Sequence, residues 1–170
     1  DGEGCITINH HRLHKNSHLE TLLFSPIIVI VNTNKVLIDT CQKVLRNSEI
    51  PFYVSYKQPM GTWKEKWQII ITGLKRVSKA LTILSPYIIS KSPEAKLVKR
   101  FCDLRLGLQR VKTSYGNMGN APYNDEEFEI IYKVAEIHNR NPQRLYAEIR
   151  TYKEKLAKKD KVRPVAKSTE

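Results

Sequence analysis

Asp1-Gly2-Glu3-Gly4-Cys5-Ile6-Thr7-Ile8-Asn9 opens the chain with a carboxylate held between two glycines and runs straight into alternating apolar and polar residues. Neither glycine carries a Cβ, so backbone and carboxylate can approach another group closely. A carboxylate in such a turn suits a hard cation, and Mg2+ favours few protein oxygens completed by water and phosphate. Taken alone, the same four residues also read as a polar turn before a strand. Over residues 5–12, Ile6 and Ile8 point one way and Thr7, Asn9 and His11 the other, which predicts a half-buried strand with a polar face.

Outward from this strand, the polar stretch 10–18 reads as a hairpin loop. It holds His10, His11, His14 and His18, but the spacing fits no common zinc pattern and no cysteine pair accompanies it. A loop that hydrogen-bonds phosphates or base edges is the better reading. Residues 19–33 form a second, β-branched strand with Leu22, Phe24, Ile28 and Ile30 on one face, and Pro26 suggests an edge or a bend. Thr33 or Asn34 then caps a helix over Lys35–Asn47, whose apolar stripe reads as Val36, Leu37, Thr40, Cys41, Val44 and Leu45.

A third strand is expected at 51–57, a turn with Pro59 and Gly61 at 58–64, and a fourth strand at Lys66–Thr72. Trp67, Ile69 and Ile71 share one face of that strand; Lys66, Gln68, Ile70 and Thr72 share the other. Gly73 ends it. A helix over Leu74–Leu84 is broken at Ser85-Pro86, and a further helix occupies 93–106, with Pro93 in its first turn. Residues 107–123, with Gly116, Gly119 and Pro122, read as a linker. Asn124 and Glu127 form a capping-box start for an appendage of two helices across 124–160. Residues 161–170 are expected to be disordered.

The core over 1–106 is therefore α+β: two hairpins separated by a helix, giving a four-stranded antiparallel sheet with helices on one face, plus a C-terminal helical appendage. The other face is left to solvent or a partner. The 29 Lys and Arg against 17 Asp and Glu give a net charge of +12. Of these, 16 basic and 8 acidic residues fall in 1–106. A chain this basic points to a polyanion, nucleic acid first and an anionic membrane second. A polar sheet face on such a protein suits a DNA major groove, where side chains read base edges. Three widely spaced cysteines, Cys5, Cys41 and Cys102, argue against a disulfide framework and for a reducing compartment. The longest apolar run, 27–31, falls far short of the about 18 residues that span a bilayer.

In this order the residues resemble the LAGLIDADG homing endonucleases, in the single-motif, homodimeric branch. Asp1-Gly2-Glu3-Gly4 is similar to the second half of the name motif, whose helical first half would lie just before Asp1. Pro26-x-Ile28-x-Ile30-x-Asn32-Thr33 is similar to the strand entering the middle helix, and Trp67-x-Ile69-x-Ile71-x-Gly73 to the last strand. Leu81-x-x-Leu84-x-Pro86-Tyr87-x-x-x-Lys91-x-x-x-Ala95 is similar to the helix, break, lysine and final helix. The resemblance covers about residues 1–106 and implies an αββαββα fold.

It further implies a site-specific double-stranded DNA endonuclease that uses Mg2+ or Mn2+ and makes a staggered double-strand break in a long pseudo-palindromic site. Glu3 and the Gly2 carbonyl would hold the metal, Asn32 would order waters, and Lys91 would stand near the scissile phosphate. The DNA-reading positions would be Thr7, Asn9, His11, Ile27, Val29, Ser55, Lys57, Lys66, Gln68, Ile70 and Thr72. Ile27, Val29 and Ile70 depart from a polar face and suit thymine methyl groups. The implied protein is intracellular and intron-encoded, in an organelle or in a prokaryote or phage. A rival reading keeps the scaffold without cleavage, as an intron RNA maturase or a DNA-binding protein. A third makes the 124–159 helices a dock for a protein partner, or a basic surface for flanking DNA phosphates.

Overall fold

The computed structural model describes residues 4–12, 22–62, 64–108, 111–112, 118–119, 121–138 and 141–162. Four strands, β1 (Gly4–Arg12), β2 (Leu22–Asn32), β3 (Tyr53–Lys57) and β4 (Lys66–Thr72), form one antiparallel sheet in the order β1-β2-β4-β3. Helix α1 (Lys35–Asn47) connects the two hairpins. Helix α2 (Leu74–Leu84), a 3-10 turn at Ser85–Tyr87 and helix α3 (Ser92–Gly107) follow. A two-residue hairpin, β5 (Val111–Lys112) with β6 (Met118–Gly119), interrupts the stretch expected as a plain linker. Helices α4 (Asp125–Ile137) and α5 (Pro142–Val162) complete the chain. The chain is thus α+β, with the helices gathered on one face of a four-stranded antiparallel sheet.

Alternation dictates that face. Ile6 and Ile8 pair with Ile28 and Pro26, and Ile28 and Ile30 pair in turn with Ile71 and Ile69. These side chains meet Val77, Ala80 and Leu81 of α2 and Val98, Phe101 and Cys102 of α3 in one core. Asn34 starts α1 by accepting hydrogen bonds from the Val36 and Leu37 amides, which satisfies donors that a helix start leaves open. The buried stripe of α1 is Ile38 and Leu45, with Cys41 packed beside them, whereas Val36, Leu37 and Val44 are exposed. The expected stripe was therefore rotated. The helix carries two apolar sets, and only docking on the sheet selects between them.

Pro26 also lies elsewhere than its chemistry first suggests, because β2 is an interior strand. The ladder explains why it is tolerated. His138 Nε2 on α4 lies 2.9 Å from the Ile6 carbonyl, so that carbonyl points away from β2. By antiparallel alternation the Ile8–Pro26 pair is likewise one in which backbone polar groups face outward. The nitrogen of Pro26 then faces the β4 side, where pairing begins only at Ile27. The missing N–H removes no ladder bond.

The residues read as an appendage share the main core. Phe128, Ile131 and Val134 of α4 and Leu145 and Ile149 of α5 are buried in the same cluster as Ile8, Phe24 and Phe101. Tyr123 packs edge-on against Phe24, with ring centroids 5.0 Å apart, and its hydroxyl accepts the Phe24 amide at 3.0 Å. Arg105, 5% exposed, meets the fully buried Glu127 at 3.3 Å. It also donates to the carbonyls of Ala121 and Pro122 and lies over the Tyr123 ring. Asn124 and Glu127 form the capping box read from the sequence. Of the tail expected at 161–170, α5 takes in residues 161 and 162, and 163–170 lie outside the described residues.

Burial pushes the Cys102 thiol up to about 12. A thiol reagent at pH 8 should therefore leave Cys102 unmodified in the native protein and reach it only on unfolding. The sign for stability follows: between about pH 9 and about 12 the unfolded state has lost this proton while the folded state keeps it. Stability should fall as pH rises through that window, by at most about 1.4 kcal/mol per pH unit from this group. Denaturant midpoints measured across the window check it.

Candidate nucleic-acid interface

The face of the sheet away from the helices follows from the pairing register. One row across it is Thr7, Ile27 and Thr72; the next is Cys5, Val29, Ile70 and Tyr53; the next is Val31, Gln68 and Ser55. Lys57 stands directly opposite Lys66 at one corner, and Asn9 and His11 extend the face along β1 opposite Ser25 and Leu23. Asn9, Ile27, Val29, Ser55, Lys66, Gln68, Ile70 and Thr72 are half-buried, and His11, Tyr53 and Lys57 are exposed. The register therefore places Ile27, Val29 and Ile70 on this face as the alternation implied.

Two positions differ from the sequence reading. Thr7 belongs to the face by register but is only 2% exposed, so its hydroxyl is enclosed. Tyr53 stands on the face at 47% exposure and was not singled out. Its signal was available, since it alternates with Phe52 and Val54 and so shares parity with Ser55 and Lys57. His10 and His11 belong to the strand rather than to the loop. His10 is of core-face parity, and its Nε2 lies 3.6 Å from Glu148 on α5. His14 and His18 lie outside the described residues.

At one end of the sheet the β1–β2 register brings Gly4 opposite Ile30, two residues before Asn32. Gly4 has φ 157°, and a Cβ there would sit 2.5 Å from the Val29 carbonyl oxygen. Only glycine fits this crossing, because the clashing atom is backbone. Gly2 and Glu3, the residues expected to hold a metal, lie outside the described residues. Among the described residues no three His, Cys, Asp or Glu side chains come together to hold an ion. The Asn32 Oδ1 accepts the Asn34 amide at 2.7 Å, so Asn32 shapes the turn into α1. Lys91, half-buried, is the N-cap residue of α3, the helix that packs on β1; its carbonyl accepts the first helical bond, from Ala95 at 3.0 Å. No described helix is long and apolar enough to cross a membrane.

No protein-family model matches the chain, and no curated protein matches it. Solved structures do. The homing endonuclease I-TnaI is 14% identical, with 88% of this chain and 90% of that one covered and a TM-score of 0.54. The LAGLIDADG homing endonuclease I-LtrWI bound to target DNA is 17% identical, with 78% and 40% covered and a TM-score of 0.53. The homing endonuclease I-CvuI in complex with its target is 15% identical, with 60% and 59% covered and a TM-score of 0.46. The chain spans about three-fifths of the length of the I-CvuI structure and two-fifths of the I-LtrWI structure. Its structural neighbours are homing endonucleases, and at these identities what is shared is the fold.

Proposed function

We propose that the chain is a site-specific endonuclease for double-stranded DNA, acting as a homodimer with Mg2+ or Mn2+ in a reducing compartment. The observation that carries this reading is the sheet face turned away from the described helices, with Lys57 facing Lys66 across the ladder. Like charges directly opposite destabilise a sheet. A polyanion laid over that corner meets both ammonium groups, and the polar rows beside it offer donors and acceptors at base-edge height. The fold is the one on which I-LtrWI holds its target DNA.

Within this reading Asn9, His11, Ser55, Lys57, Lys66, Gln68 and Thr72 contact DNA, and Ile70 packs against thymine methyl groups. Glu3, with the Gly2 carbonyl, holds the ion, which supplies charge neutralisation and an acidified water when bound. Lys91 adds a fixed positive charge near the scissile phosphate, and Asn32 donates from its amide nitrogen to water or phosphate. A twofold axis between two copies would bring two Glu3 carboxylates to the two strands to be cut.

The test is cleavage of a random-sequence duplex library with and without Mg2+, products being sequenced. Cuts should be staggered, fall in one family of related sites and require the ion. Glu3→Gln should abolish cleavage while duplex affinity stays within about tenfold, because this carboxylate serves the metal more than the complex. A folded Glu3→Gln protein that loses both activities counts against the assignment. Tight intron-RNA binding with no ion-dependent cleavage by the unmodified chain would move the assignment to a maturase.

A further inference from the structure

We infer that the last two turns of α5, residues 155–162, are a basic arm that grips the phosphate backbone of duplex DNA outside the region covered by the sheet. The inference rests on the DNA-binding reading above.

Helix α5 packs on the core along one side. Leu145 and Ile149 are buried and Tyr152 packs against the core, one side of the helix at spacings of four and three. Tyr152 lies 6.3 Å from the Tyr123 ring and 6.0 Å from the Phe128 ring. Beyond it, Glu154, Lys155 and Ala157 are exposed, yet the helix continues to Val162.

The charge pattern changes at the same point. Arg144 pairs with Glu148, Arg150 with Glu154, and Lys153 with Asp125 at the start of α4. Residues 155–162 contain four lysines, Lys155, Lys158, Lys159 and Lys161, and one acid, Asp160. Positions 155 and 158, 155 and 159, and 158 and 161 are neighbours on a helix surface, where like charges oppose the helix. Such a segment is stabilised by a polyanion. Eight helical residues span about 12 Å, over which one strand of DNA carries about three or four phosphates.

The placement sets what the arm reaches. Leu145 and Arg144 line a cavity of about 250 Å³ with His10 and Phe24, and Tyr123 beside Tyr152 takes the Phe24 amide. Helix α5 therefore lies at the loop end of the β1–β2 hairpin, the end opposite Gly4 and Asn32. A contact made from there falls on the flank of a site centred on the Gly4 end.

The experiment compares the full chain with a variant carrying Lys155→Gln, Lys158→Gln, Lys159→Gln and Lys161→Gln. Binding of a labelled random-sequence duplex is followed over a range of salt, with helicity and thermal midpoint as controls for folding. The slope of log affinity against log salt should fall in magnitude by about three, at about 0.9 for each phosphate no longer neutralised, and low-salt affinity should drop tenfold or more. An unchanged slope in a folded variant overturns the arm while leaving DNA binding by the sheet in place. A full chain that shows no salt-dependent duplex binding overturns the DNA reading itself, and the arm with it. Loss confined to an RNA hairpin or to anionic lipid vesicles, with duplex binding intact, overturns the assignment of the arm to DNA.

Discussion

A chain ending at Leu106 should not fold. Truncation there removes Phe128, Ile130, Ile131, Val134, Leu145 and Ile149 from the core they share with Phe24 and Phe101. At about 1.5–3 kcal/mol for each fully buried side chain, the loss is on the order of 10 kcal/mol. Whole domains are stable by only about 5–15 kcal/mol. The cut also strips Arg105 of Glu127 and of the Ala121 and Pro122 carbonyls, leaving a cation that was 5% exposed without those partners. The fragment should show neither a cooperative thermal transition nor native near-ultraviolet dichroism, and it should aggregate on concentration. A fragment that unfolds cooperatively would show that residues 1–106 form a self-sufficient domain.

The second large effect is expected at Glu127. Its carboxylate is fully buried, faces the Arg105 guanidinium and also accepts the Asn124 amide. Glu127→Ala leaves a buried guanidinium without its counter-charge, which costs about 3–5 kcal/mol, and removes half of the capping box, about 1 kcal/mol more. For a chain of this length that is a thermal midpoint lower by about 10 °C or more. The double variant Arg105→Met with Glu127→Gln should recover most of the loss. Methionine fills the site without charge, and glutamine still accepts the Asn124 amide. If the double variant is as unstable as Glu127→Ala, then packing at position 105, rather than the uncompensated charge, accounts for the cost.

How much of this was readable beforehand depended on range. The alternation through Ile6–Thr7–Ile8 and through Trp67 to Thr72 set two strands in the right register, and the ladder through Ile28 and Ile71 joins them as that parity requires. Asn34 and Asn124 announced two helix starts because a cap is local chemistry. The buried side of α1 was not legible, since Val36, Leu37 and Val44 compete with Ile38, Cys41 and Leu45 at equal periodicity. Pro26 was read as marking an edge or a bend, and the short reach of β4 that makes room for it in an interior strand is a tertiary fact. The same holds for the contacts that bind α4 and α5 to the sheet. Tyr123 and Phe24 are 99 residues apart, and no local pattern links them. At the candidate site, the parity of Ser55, Lys57, Gln68 and Thr72 was legible and the enclosure of Thr7 was not. The roles of Glu3 and Lys91 came from resemblance rather than from any local rule.

The imidazole of His138 on the Ile6 carbonyl bears on how the protein behaves in a crowded solution. β1 is an outer strand, and outer strands recruit strands from other molecules, the first step toward fibres. Here a helix end already occupies that margin, so an incoming chain would have to evict it before it could add a rung. Dimerisation by sheet continuation through this strand is thereby disfavoured. The opposite margin, β3, carries Lys57 and has Pro59 two residues beyond it, a charge and an imino acid that discourage the same growth.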